Sequence, residues 1–154
     1  MELPEKLHVT LAFLGSVASE RVDELRTALR ATAGTIAAFS VRLDAIGAFP
    51  DERRAQVVWA GSHRNEPEFV GLAERVREVA RGFATLDEKP PVLHVTLARL
   101  REPGPLPKVQ LQPRTVRVDA VVLYESLPGE KTTRYEVVER FPLTVQASSP
   151  AGSR

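Results

Sequence analysis

The hexamer Leu-His-Val-Thr-Leu-Ala occurs twice without a change, at positions 7–12 and 93–98. Hydrophobic patterning can repeat a Leu-x-Val-x-Leu rhythm, but it gives no reason to repeat the histidine. Two of the three histidines, His8 and His94, sit in these copies. Read as a strand, each copy sets histidine and threonine on one face and the branched apolar residues on the other, because side chains alternate with period two. The two polar groups then stand roughly 6–7 Å apart along the strand, a separation suited to gripping one small anionic group. A single His-x-Thr would be read as an ordinary histidine in a strand. Two identical copies, 86 residues apart, point instead to two histidine–threonine pairs facing each other across a cleft.

The rest of the chain reads as two similar halves. Residues 6–14 form the first strand, stopped at Gly15, and a helix follows at 19–33 with Ser19 as its N-cap. Val22, Leu25, Ala28, Leu29 and Ala33 mark the apolar face of that helix, and Arg21, Glu24, Arg26 and Arg30 a solvated one. Alternation from Phe39 to Ala45 predicts a half-buried strand. It is joined through the charged turn Phe49–Arg54 to a second strand, Gln56–Ala60, as a long-looped hairpin. His63 falls in a polar loop. Pro67 opens the clearest helix, whose stripe is Phe69, Leu72, Ala73, Val76, Val79, Ala80 and Phe83. Asp87–Pro91 breaks it and leads into the second hexamer. Four prolines make residues 102–113 an irregular connection. Val116 to Tyr124 forms a strand, Leu127-Pro128-Gly129-Glu130 a turn, and Thr133–Val138 the return strand of a hairpin. The order predicts an α+β unit over residues 1–145, bilobal, with two pseudo-symmetric antiparallel sheets, flanking helices and a central cleft. Residues 146–154 have nothing to bury and read as a disordered tail.

Composition narrows the partners. A net charge of +1 is too small for a protein that grips long nucleic acid through phosphates, so a nucleic-acid partner would be held by an end or a short segment. No apolar run is long enough to span a membrane, the N-terminus lacks a signal layout, and cysteine is absent. A cytoplasmic monomer without membrane contact is expected. Neither phosphate-loop glycine pattern occurs, nor does Gly-x-Ser-x-Gly. Two histidines fall short of the three protein ligands a catalytic zinc normally takes, so no metal or cofactor is expected.

Imidazole titrates nearest neutrality, so one neutral and one protonated ring can coexist at physiological pH. One can take a proton from an attacking water while the other gives one to a leaving oxygen, a service worth about 10²–10⁴-fold. Threonine hydroxyls donate to non-bridging phosphate oxygens without a charge to desolvate. The set therefore suits a phosphodiester hydrolysed without a metal.

These residues resemble the 2H phosphoesterase superfamily, and within it the bacterial and archaeal RNA 2′,3′-cyclic phosphodiesterases, also called 2′-5′ RNA ligases. The resemblance covers nearly the whole chain. It rests on Leu3–Gly15, Phe49-Pro50 with Val57–Gly61, His94–Arg99, and Tyr135–Val138 through Phe141-Pro142-Leu143. It implies hydrolysis of RNA 2′,3′-cyclic phosphate ends to 2′-phosphates, with His8 as general acid and His94 as general base. Thr10 and Thr96 would hold the phosphate, Arg99 would help bind it, and Phe13 would pack on the terminal base unless it is a core residue. By strict alternation Arg99 points away from His94, so the strand must bend or the side chain wrap around its end. Members usually carry a strand and a helix before the first motif, both expected to be missing here, which would expose a sheet edge. The residue before Val57 is often arginine and is Gln56 here, with Arg53 or Arg54 as substitutes. The same groups would serve reversible 2′-5′ joining of tRNA fragments. Two other readings stay open: a phosphodiesterase for a small cyclic nucleotide, and a module that binds a nucleotide or RNA end without turnover.

Overall fold

The computed structural model describes residues 8–64, 66–108, 110–129 and 134–145. A 3₁₀ turn at Ser19–Arg21 leads into helix α1 (Val22–Ala33). Strands β1 (Phe39–Leu43), β2 (Ala45–Phe49) and β3 (Ala55–Gly61) follow, then helix α2 (Pro67–Ala80). The chain closes with β4 (His94–Gly104), β5 (Arg114–Val118), β6 (Ala120–Leu127) and β7 (Arg134–Pro142). The strands form antiparallel ladders, β1 with β5, β2-β3-β4 in that order, and β6 with β7. The expected α+β class holds, with three ladders where two sheets were read.

Two long strands in the sequence each divide at an aspartate. Alternation from Phe39 onward looks continuous, yet β1 ends before Asp44 and the chain crosses into another sheet. The Asp44 amide donates to the Gly61 carbonyl (2.8 Å), and its carboxylate accepts from the His63 amide (2.8 Å). The hairpin partner of β3 is therefore β2, and β1 pairs with β5 instead. Likewise the strand read from Val116 to Tyr124 splits at Asp119, whose carbonyl accepts from the Leu143 amide (2.9 Å). Period two survives such a crossing, so patterning cannot see it.

Other expectations need correction. Residues 8–18 carry no strand, so the first copy of the hexamer joins no ladder among the described residues. Gly15, at φ 65°, turns the chain there. Ser19 lies inside the 3₁₀ turn and caps nothing. The turn closes from the Arg21 amide to the Ala18 carbonyl (2.9 Å), which moves the capping position upstream to an alanine. Strand β4 runs on to Gly104, beyond the point where prolines predicted irregular chain. The basic face of α1 is not simply solvated. Arg26 and Arg30 donate to the two oxygens of Glu139 on β7 (2.7 and 2.6 Å), and the Arg21 guanidinium sits 4.4 Å from the centre of the Phe83 ring. Residues 130–133, where the turn ends and the return strand was to begin, and the tail 146–154 lie outside the described residues.

The core explains how both hexamers are held. Leu25, Leu29 and Ala33 of α1 meet Phe69, Leu72, Ala73 and Val76 of α2, with Phe39 and Val41 of β1 and Val121 and Phe141 of the last hairpin. Each large side chain buried there contributes about 1.5–3 kcal/mol. Leu93, one residue before His94, is in the same cluster, and Val9 and Leu11 of the first copy pack against it. The apolar half of the repeated pattern thus anchors both copies to one core, whether or not a ladder forms.

Candidate active site

The second copy is built on the sheet β2-β3-β4. In an antiparallel ladder, residues directly opposite share a face. His94 lies opposite Gly61, Thr96 opposite Trp59 and Arg99 opposite Val57. Since residues 57, 59 and 61 alternate onto one face of β3, His94, Thr96 and Arg99 share that face too. Strict alternation would have pointed Arg99 away, and the expected bend in the strand is present. From Thr96 to Arg99, β4 advances three residues while β3 advances two, from Trp59 to Val57. A β-bulge in β4 between Thr96 and Arg99 takes up the extra residue and re-aims the arginine.

Aromatic rings line the same face. A Cβ built on Gly47 would collide with the Trp59 indole, and one on Gly61 would come within 2.8 Å of its Cζ3 and 2.5 Å of the Leu93 carbonyl oxygen. The two glycines thus leave the space in which the indole lies flat across the sheet. Phe49 stands 5.5 Å from Trp59 and 5.2 Å from His94, its ring nearly perpendicular to the imidazole at 88°. Trp59 is 6.4 Å from His94. The His94 Nδ1 lies 2.9 Å from the Val92 carbonyl oxygen. A carbonyl only accepts, so in the neutral ring Nδ1 carries the proton and Nε2 keeps a free lone pair. The segment leading into the strand is itself fixed. Arg77 on α2, 9% exposed, donates to the carbonyls of Asp87 and Lys89 at 2.7 Å each. Patterning gave no hint of it, because the arginine interrupts no periodicity.

The first copy has other neighbours. His8 is exposed and Thr10 half-buried. The imidazole meets two rings of the C-terminal hairpin, Tyr124 and Tyr135, each 5.8 Å away, and these stand 6.3 Å from each other. The hairpin also depends on a bulge. Glu139 and Phe141 of β7 point at α1 and the core, and strict alternation would send Tyr135 after them. The register shift between Leu123 and Tyr124 instead sets Val137 opposite Tyr124 and Tyr135 opposite Ser126, which turns Tyr135 onto the face of Tyr124. Hydrogen bonds from Arg30 and Arg26 hold the Glu139 carboxyl below its ordinary value and tie the hairpin to α1. Phe13 is 72% exposed, so it is no core residue. Arg53 and Arg54 donate their amides to Asp51 Oδ1 (2.8 and 2.9 Å), while Arg54 and Gln56 line a small notch with Pro50, Asp51 and Pro103. Among the described residues, no three His, Cys, Asp or Glu side chains gather to hold a metal ion, and no helix is long and apolar enough to cross a membrane.

A family model described as the 2′-5′ RNA ligase superfamily matches residues 3–130. An RNA 2′,3′-cyclic phosphodiesterase of Geobacillus stearothermophilus is 34% identical over 151 residues, covering 90% of this chain and 46% of that protein. This chain therefore spans about half the length of that relative. The Escherichia coli RNA 2′,3′-cyclic phosphodiesterase is 32% identical, covering 91% of this chain and 77% of its own. Among solved structures, E. coli LigT complexed with 3′-AMP aligns with a TM-score of 0.70 at 30% identity, covering 91% of this chain and 78% of that one. A Thermus thermophilus protein aligns at 0.74 and 28%, covering 94% and 82% respectively.

Proposed function

The chain belongs to the 2′-5′ RNA ligase superfamily, and on that premise we propose that it hydrolyses RNA 2′,3′-cyclic phosphate ends to 2′-phosphates. His94 takes a proton from water through Nε2 as the water oxygen bonds to phosphorus. The bond from phosphorus to the 3′ oxygen breaks, and His8 delivers a proton to that oxygen. Thr10 and Thr96 donate to the non-bridging oxygens, and Arg99 adds charge-assisted hydrogen bonds as negative charge builds on them. A 5′-hydroxyl in place of the water would turn the same step into 2′-5′ joining.

The observation that carries this reading is the arrangement on β4. One imidazole, with its Nδ1 committed to the Val92 carbonyl, shares a sheet face with a threonine and an arginine. A core histidine would need neither companion. The relatives named RNA 2′,3′-cyclic phosphodiesterase support the substrate class. The test is turnover of a 2′,3′-cyclic-phosphate oligoribonucleotide in the presence of EDTA, with the product identified as a 2′- or 3′-phosphate. Hydrolysis to the 2′-phosphate, lost in His8→Ala and in His94→Ala, is expected. Activity that survives both substitutions would falsify the proposal.

A further inference from the structure

We propose that Tyr124 and Tyr135 form a stacking platform for the base of the nucleotide that carries the cyclic phosphate. This rests on the hydrolytic reading and extends it to substrate choice. The two rings belong to adjacent strands and reach one face only because of the bulge in β7. They remain 37% and 46% exposed while each contacts the imidazole of His8. Val137, opposite Tyr124 on the same face, is 62% exposed. Large aromatic side chains left open on a sheet face are the usual surface on which unpaired bases stack. His8 is the group assigned to the ribose oxygen, so a base attached to that ribose comes within reach of the rings beside it. The neighbours of His94 are different. Phe49 is as exposed as Tyr124, at 37%, but its partner Trp59 is laid against Gly47 and Gly61, so that pair offers one open ring where the tyrosines offer two. The platform is also firm, because Glu139 on the same strand is held by two arginines of α1.

Stacking tolerates every base but requires one, so the substrate class is a ribonucleotide end with an unpaired terminal base. The experiment compares adenosine 2′,3′-cyclic phosphate with a base-free five-membered cyclic phosphate, glycerol 1,2-cyclic phosphate. The readout is the ratio of their kcat/KM values. Tyr124→Leu and Tyr135→Leu keep apolar bulk without an aromatic face, and each is expected to lower the ratio about tenfold, chiefly through the KM of the nucleotide. Tyr124→Phe and Tyr135→Phe should keep it. A loss shared equally by both substrates overturns the proposal, since the rings would then only hold His8 in place. If the wild-type protein turns over neither compound, calorimetry with 2′-AMP and ribose 2-phosphate replaces kinetics. A preference for 2′-AMP that the leucine variants lose sustains the platform although the hydrolytic reading has failed. Absence of that preference overturns the platform as well.

Discussion

Residues 94–98 begin an eleven-residue strand paired along β3, whereas residues 8–12, the same five amino acids, sit in chain that joins no ladder among the described residues. The same five residues are paired in a ladder in one place and not in the other, and what differs is the partner. β3 pairs with the strand that His94 begins, and Gly61 and Trp59 of β3 with Gly47 of β2 shape the face on which the imidazole lies. His8 instead meets the rings of a hairpin from the far end of the chain. Strand propensity in such a segment therefore describes a fit to a neighbouring strand more than a preference of its own backbone. What both copies keep is apolar anchorage to a common core, through Leu93 in one and Val9 and Leu11 in the other.

If the two copies are chemically equal despite this, His8→Ala and His94→Ala should each lower turnover by about 10²–10⁴-fold. A large loss in only one would break the equivalence. A sharper distinction concerns Arg99, which has no counterpart three residues after Thr10, where Phe13 stands. Arg99→Ala is expected to lower kcat/KM roughly 10²-fold, in line with the loss of charged hydrogen bonds. Deleting Leu97, which removes the extra residue of the bulge, should approach the same value while the protein remains folded by circular dichroism. Glycines separate the copies further. Gly61→Ala brings a methyl group against Trp59 and the Leu93 carbonyl, and should cost about 1–3 kcal/mol in denaturant unfolding. Gly15→Ala meets no atom within 4 Å. It should cost about 1–2 kcal/mol, wholly from the left-handed backbone.

The smallest effect belongs to the tie between α1 and the tyrosine hairpin. Glu139 has its folded value held below the ordinary 4.5. Its contribution is therefore complete above that value and is lost as the pH falls through the lower folded one. Glu139→Gln should lower Tm slightly at neutral pH, with the difference from wild type shrinking below pH 4.5.

Much of this was legible in the residues alone. The repeat singled out His8, Thr10, His94 and Thr96. The stripe of α2 was read correctly from Phe69 to Ala80, because buried helix positions are dictated locally by a 3.6-residue period, but it was carried on to Phe83, past the helix end at Ala80. Other features depend on which strands pair, and a linear pattern does not contain that information. The split at Asp44 preserves alternation while changing sheets. The bulges in β4 and β7 move Arg99 and Tyr135 across a face, and they exist only relative to β3 and β6. Arg77 is a different case, a buried cation whose two terminal nitrogens are held by backbone carbonyls that no side-chain pattern announces.

The placement of the rings has a practical consequence. The chain has one tryptophan and two tyrosines. The tryptophan lies beside His94 and both tyrosines beside His8. Its near-ultraviolet spectrum is thus written at the two histidines, with only phenylalanines absorbing weakly elsewhere. Excited at the red edge, where tyrosine is transparent, the emission reports the His94 half alone. Tyrosine emission and energy transfer to the indole report the His8 half and the separation between the two. Without any label, the protein carries a separate optical reporter at each copy of its repeat.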